Sequence, residues 1–259
     1  MLKTLLHIFL LFCFASSLFS WVNVSAADGQ PDSSKALSSL PFNDEGARDN
    51  SFFAYRQALM ESVKFREPER FVTMVDIGVL GGHNTLGGMQ DFAAKWRIDA
   101  IDSPLWSTMD SLLSLGGGFV RSNKGVQFCA PYVFVDFPDE LDLRAHGVVI
   151  AEQARLMDEP AFNASVLASL DHDLVRVHDW KGMKVTNQNG EKETWVEVTS
   201  LKGPVGWLPR SEVRSPLDPH ACFLLRGEKW SMVSLVNGWE AVSLPDQPQP
   251  VAEMETPGF

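Results

Sequence analysis

Two hydrophobic periods run along this chain, and one gives way to the other near residue 147. Before it, spacings of three and four dominate. Phe52, Tyr55, Leu59 and Val63 form one such stripe and predict a helix, with Asn50 or Ser51 as its cap. The apolar stretch RFVTMVDIGVL leads into GGHNTLGG, and MQDFAAKW reads as a short helix. SPLWSTMDSLLSLGGG is a fuller helical signal. Ser103 can cap it, Pro104 suits its first turn, Leu105, Met109, Leu112 and Leu113 make one face, and Gly116 stops it. Residues 126–137 read as extended, with Val126, Phe128, Ala130, Tyr132 and Phe134 on one face and Pro131 marking an edge or a bulge.

From Gly147 onward the period falls to two and the runs shorten. GVVIAE, SVLASL, DLVRVHD, TWVEVTS and GPVGWLP follow one another, separated by Pro, Asn, Gly and charged residues, the pattern of a small antiparallel barrel. A further hairpin, ACFLLRGEKWSMVSLV, comes after the barrel pattern has closed at Val213. Its apolar positions Phe223, Leu225, Trp230, Met232 and Val236 need a surface to cover. The expected class is therefore α+β: an N-terminal helix-plus-strand domain (51–145), a small all-β barrel (147–215), and a C-terminal hairpin (216–240) returning to the first domain.

The two ends read differently. Lys3, a run of apolar and small residues over 5–19 that only His7 interrupts, and small residues at Val24 and Ala26 or Ser25 and Ala27 form an export signal, expected over 1–26. The run is short for a membrane span, so no stable span is expected after cleavage, and the protein is expected to be exported, periplasmic or secreted. Residues 27–50 are polar and aperiodic and read as a flexible tether; residues 241–259, Pro-rich and acidic, read as a disordered tail.

The whole chain carries 22 basic and 33 acidic residues, a formal net charge of −11, without a Lys/Arg cluster, which argues against nucleic acid as a partner. Of three cysteines, Cys13 lies in the leader. Cys129 and Cys222 remain, an even count that allows a single intramolecular disulfide, expected to staple the C-terminal hairpin onto the first domain.

The stretch WVEVTSLKGPVGWLPRSEV resembles the last third of a bacterial Src-homology-3 domain. In that family a W-x-x-V strand, a Gly-containing turn, a G-W-V or G-Y-V strand and a short helical turn near a final Val close the barrel. Upstream, Pro160, Val166, Leu170 and Val175 fit the family pattern, whereas Asp173 stands where Gly is usual and Met157 interrupts an Arg-rich start. The resemblance spans about residues 147–215 and implies recognition of a cell-wall or envelope ligand, with peptidoglycan or an envelope protein as partner. No motif identifies residues 51–145. Their helices and strands, taken with the last hairpin, loosely resemble the cone-shaped nuclear-transport-factor-2-like fold.

Candidate chemistry is sparse. GVLGGHNTLGG and SLGGGF lack the order of a phosphate loop, and His83 has no G-x-S-x-G nucleophile with it. In DHDLVRVHD the strand period sets His172, Leu174, Arg176 and His178 on one face and Asp173 and Asp179 on the other, which splits any metal-ligand set. Cys129 has no basic neighbour to activate it, which leaves pairing or a buried thiol. Trp195 and Trp207 are either barrel core or a ligand platform. With both tyrosines before residue 133, the barrel lacks the tyrosines that grip polyproline. The expectation is a non-catalytic exported binding protein of the envelope without cofactor or metal. Its rivals are a periplasmic protein-protein scaffold and an enzyme with a pocket in the first domain.

Overall fold

The computed structural model describes residues 38–242, except 83–86, 123–124, 188 and 202. The expected leader, the first part of the tether, nearly all of the tail and His83 lie outside the described residues.

Helix α1 (Asn50–Phe65) is capped by Asp49, not by Asn50 or Ser51. Asp49 Oδ1 accepts from the backbone N–H groups of Ser51 and Phe52 at 2.8 and 2.9 Å. All three residue types can cap, and the aspartate adds a negative charge at the helix's positive end. Phe52, Leu59 and Val63 turn inward as their spacing requires, and Arg56 is buried with them. α2 (Pro68–Val72) precedes β1 (Val75–Leu80); α3 (Met89–Trp96) and α4 (Pro104–Ser114) come next. Ser103 caps α4 by accepting from Leu105 N–H at 3.2 Å.

β2 (Gly118–Ser122) and β3 (Gly125–Ala130) form a hairpin. The extended run expected to reach residue 137 ends at Ala130. A cis peptide joins Ala130 to Pro131, and the single helical turn α5 (Tyr132–Val135) follows. β3 is an interior strand, hydrogen-bonded on both sides, so Pro131 marks its end and neither an edge nor a bulge.

Eight short strands follow: β4 (His146–Val149), β5 (Ala154–Met157), β6 (Val166–Leu170), β7 (Leu174–Val177), β8 (Met183–Thr186), β9 (Lys192–Ser200), β10 (Val205–Pro209) and β11 (Val213–Arg214). They form one sheet in the order β11-β4-β7-β9-β10-β5-β6, with β8 paired to β9. His172 lies before β7 with φ +52, so it does not share a strand face with Arg176. The last strands, β12 (His220–Arg226) and β13 (Lys229–Val236), lead to α6 (Gly238–Val242). This hairpin occupies the interior of a second, five-stranded sheet ordered β1-β13-β12-β3-β2, in which β1 runs parallel to β13. The chain is thus mixed α and β.

Aromatic and aliphatic side chains from α1 to α4 and from strands β1, β3, β12 and β13 make the larger core, with Phe52, Phe71, Phe128, Phe223 and Met232 fully buried. Each such side chain contributes roughly 1.5–3 kcal/mol by leaving water. The eight-stranded sheet has its own core of Val149, Leu156, Val175, Val196, Val198 and Leu208. A third cluster, Tyr132, Val133, Phe137, Val148 and Leu174, joins the α5 turn to that sheet.

Part of the segment expected to be a tether packs on the protein. Leu40 N–H donates to the His172 carbonyl at 2.9 Å, and Phe42 meets Tyr132 edge-on at 5.5 Å. Asp44 accepts from both terminal nitrogens of Arg56 at 2.6 and 2.9 Å. Polar composition concealed these anchors because two apolar side chains and one ion pair suffice to hold a short segment. Cys129 and Cys222 are directly opposed across β3 and β12 and are disulfide-bonded, with Cα atoms 4.1 Å apart. Among the described residues no helix is long and apolar enough to cross a membrane.

Candidate functional site

The β9–β10 ladder decides which way the two predicted tryptophans point. Trp195 is paired with Pro209 and Glu197 with Trp207, and directly opposed residues share a face. Val196, Val198 and Leu208 occupy the other face and belong to the sheet's core. Trp195 and Trp207 therefore project together, at diagonal positions, from the face away from that core. Trp207 is half-buried, whereas Trp195 is only 3% exposed.

The loop between β5 and β6 contributes to the cover over Trp195. Asp158 N–H donates to the Ser165 carbonyl at 3.0 Å, and Ser165 N–H donates to Asp158 Oδ1 at 2.8 Å, closing the loop at its base. Phe162 then meets the Trp195 indole edge-on, with centroids 5.7 Å apart and planes at 89°. Phe162 itself stays 41% exposed.

A groove of about 340 Å³ runs past this pair, walled by Arg155, Pro209 and the carboxylates of Glu152, Glu193 and Glu212. A second groove, about 400 Å³, is also lined by Phe162, together with Val185 and Asn187 of the β8–β9 hairpin. Glu193 is two residues from Trp195 on β9, so period two puts carboxylate and indole on one face. Glu212 ends the 3₁₀ turn Arg210–Glu212, whose last carbonyl accepts from Ile150 N–H at 2.9 Å.

Two polar atoms here are buried without a hydrogen-bond partner among the described residues: the Trp195 indole nitrogen and Glu212 Oε2. Burial raises the Glu212 carboxyl's pKa above its usual range; Arg155 opposes this and Glu193 adds to it. Three carboxylates against one guanidinium favour a cationic group in the groove. Among the described residues no cluster of three or more His, Cys, Asp or Glu side chains is arranged to hold a metal ion. The sequence singles out Trp195 and Trp207, of which only Trp195 lines this groove, and does not single out Phe162, Glu193 or Glu212. The Glu193–Trp195 spacing was readable; the cover by Phe162 joins residues more than thirty apart and left no local signal.

The chain matches no protein-family model, no curated protein and no solved structure.

Proposed function

We propose that this is an exported, non-catalytic binding protein of the cell envelope, and that residues 147–215 form a barrel like that of bacterial Src-homology-3 domains. Support for the barrel reading comes from β11, which follows the 3₁₀ turn and pairs back onto β4, bringing the first and last strands of the run together. The Cys129–Cys222 bond accords with an oxidising compartment.

The observation that carries the binding reading is Trp195: an indole on the non-core face of its sheet, met edge-on by a loop aromatic and bordered by Glu193 and Glu212. An apolar body beside carboxylates suits a peptide with a free amine. Cell-wall peptide is the ligand that best joins this chemistry to export. Sedimentation with purified cell-wall sacculi tests it. The protein is expected in the pellet, and Glu193→Gln is expected to stay in the supernatant while keeping the wild-type circular dichroism. Wild-type protein left in the supernatant, or Glu193→Gln pelleting like wild type, would overturn the reading.

A further inference from the structure

A third cleft, of about 650 Å³, has the opposite charge to the groove at Trp195. Its walls carry Arg144, Arg176, Lys181 and Arg210 against Asp179 and Asp218, four cations to two anions, whereas the whole chain carries 22 to 33. The sign reversal is local, and the cleft's volume falls in the range of small-molecule sites.

Two indoles give this cleft its shape. Trp180 donates its ring N–H to the Arg144 carbonyl at 2.8 Å, and Trp239 donates its own to Asp218 Oδ1 at 3.2 Å. The rings meet edge-on, with centroids 5.8 Å apart. Gly147 makes the position of Trp180 possible, since a Cβ there would lie 2.6 Å from the indole. Arg210 fixes the floor. It stacks over Trp180 at 4.9 Å and donates to both oxygens of Asp218 at 2.8 Å. Both Arg210 and Asp218 are therefore engaged, and the rings are held before any ligand arrives.

Arg144, Arg176 and Lys181 differ from Arg210. All three are exposed, and none forms an ion pair with a described residue. Fixed indoles beside uncommitted cations match a ligand with an apolar ring face and an anionic substituent: the ring lies on indole and the anion takes charge-assisted hydrogen bonds. A long phosphate backbone fits less well, because three cations give little counterion release and the rest of the chain is acidic.

The geometry points to a binding site for a short anionic saccharide in this cleft, independent of the groove at Trp195. Isothermal titration calorimetry of the full chain with trigalacturonate tests it, with maltotriose as the neutral comparison and decathymidylate as the nucleic-acid one. Trigalacturonate is expected to bind about tenfold more tightly than maltotriose, and added salt is expected to weaken it. Arg176→Ala with Lys181→Ala, both at exposed positions, is expected to lower affinity about tenfold without loss of fold. Phe162→Ala, at the other groove, is expected to leave this binding unchanged. No heat with trigalacturonate, equal binding of maltotriose, tighter binding of decathymidylate, or an unaffected double variant would each overturn the assignment.

Discussion

Cys129 on β3 and Cys222 on β12 are register partners, so one covalent bond joins two neighbouring strands of the five-stranded sheet whose positions in the chain are 93 apart. Every strand from β4 to β11 lies inside the loop that this bond closes. The chain-entropy treatment gives about 4–5 kcal/mol for a loop of this length. Replacing both cysteines by alanine is expected to lower stability by up to that amount in chemical denaturation. A thiol assay on unfolded, unreduced protein is expected to find neither cysteine free.

Asp44 and Arg56 make the next prediction. Arg56 is buried among the apolar side chains of α1, and Asp44 reaches it with both carboxylate oxygens. Burial opposes ionisation of Asp44, but the Arg56 hydrogen bond and charge and the Gly46 N–H prevail and hold its pKa below the usual value. The stability from this pair is present above the unfolded carboxyl's pKa and is lost as pH falls through the folded value. Asp44→Asn leaves the guanidinium without its anion and is expected to cost about 2 kcal/mol at neutral pH, between surface and fully buried pairs. The deficit should shrink in acid, as measured by denaturation at several pH values.

Glu212 has the opposite sign. Its folded pKa is raised by burial, so its contribution to stability is fully present below the unfolded value and is lost as pH rises through the folded one. Glu212→Gln is expected to be more stable than wild type at neutral pH and to converge with it in acid. Thermal melts across that window read the difference.

Phe162 is half-exposed yet covers Trp195, so Phe162→Ala is expected to change stability by only about 1 kcal/mol. The Trp195 indole should then become accessible to solvent. The chain has eight tryptophans, which makes bulk fluorescence ambiguous. Fluorotryptophan NMR, with the Trp195 resonance identified through Trp195→Phe, resolves it: a solvent-induced shift of that line alone is expected.

Periodic elements were legible where one side of the chain meets the core. Phe52, Leu59 and Val63 turned inward as their spacing required, and Ser103, Pro104 and Leu105 began a helix where the capping rules put one. Elements that depend on distant partners were not. β5 and β8 give no clear strand signal of their own and are held as strands by pairing, β5 with β6 and β10, and β8 with β9. The turn at Pro131 interrupts a run of strand-forming residues, so propensity pointed the wrong way. For the candidate site, period two sets Trp195 beside Glu193 but is blind to Phe162. The cleft between Trp180 and Trp239 joins a loop and a terminal helix through Asp218, and no local pattern links the three.

The strand order of the five-stranded sheet also bears on how the protein is made. β1 and β3 are synthesised early, yet each takes a neighbour from the hairpin of residues 220–236, which leaves the ribosome only after all of β4 to β11. Until then Phe52, Phe71 and Phe128 have no completed sheet to pack against, so the first half of the chain keeps apolar surface exposed while the second half can already pair its own strands. A premature stop near residue 215 would therefore do its damage at the other end of the polypeptide, turning a late truncation into a loss of the earliest-made helices.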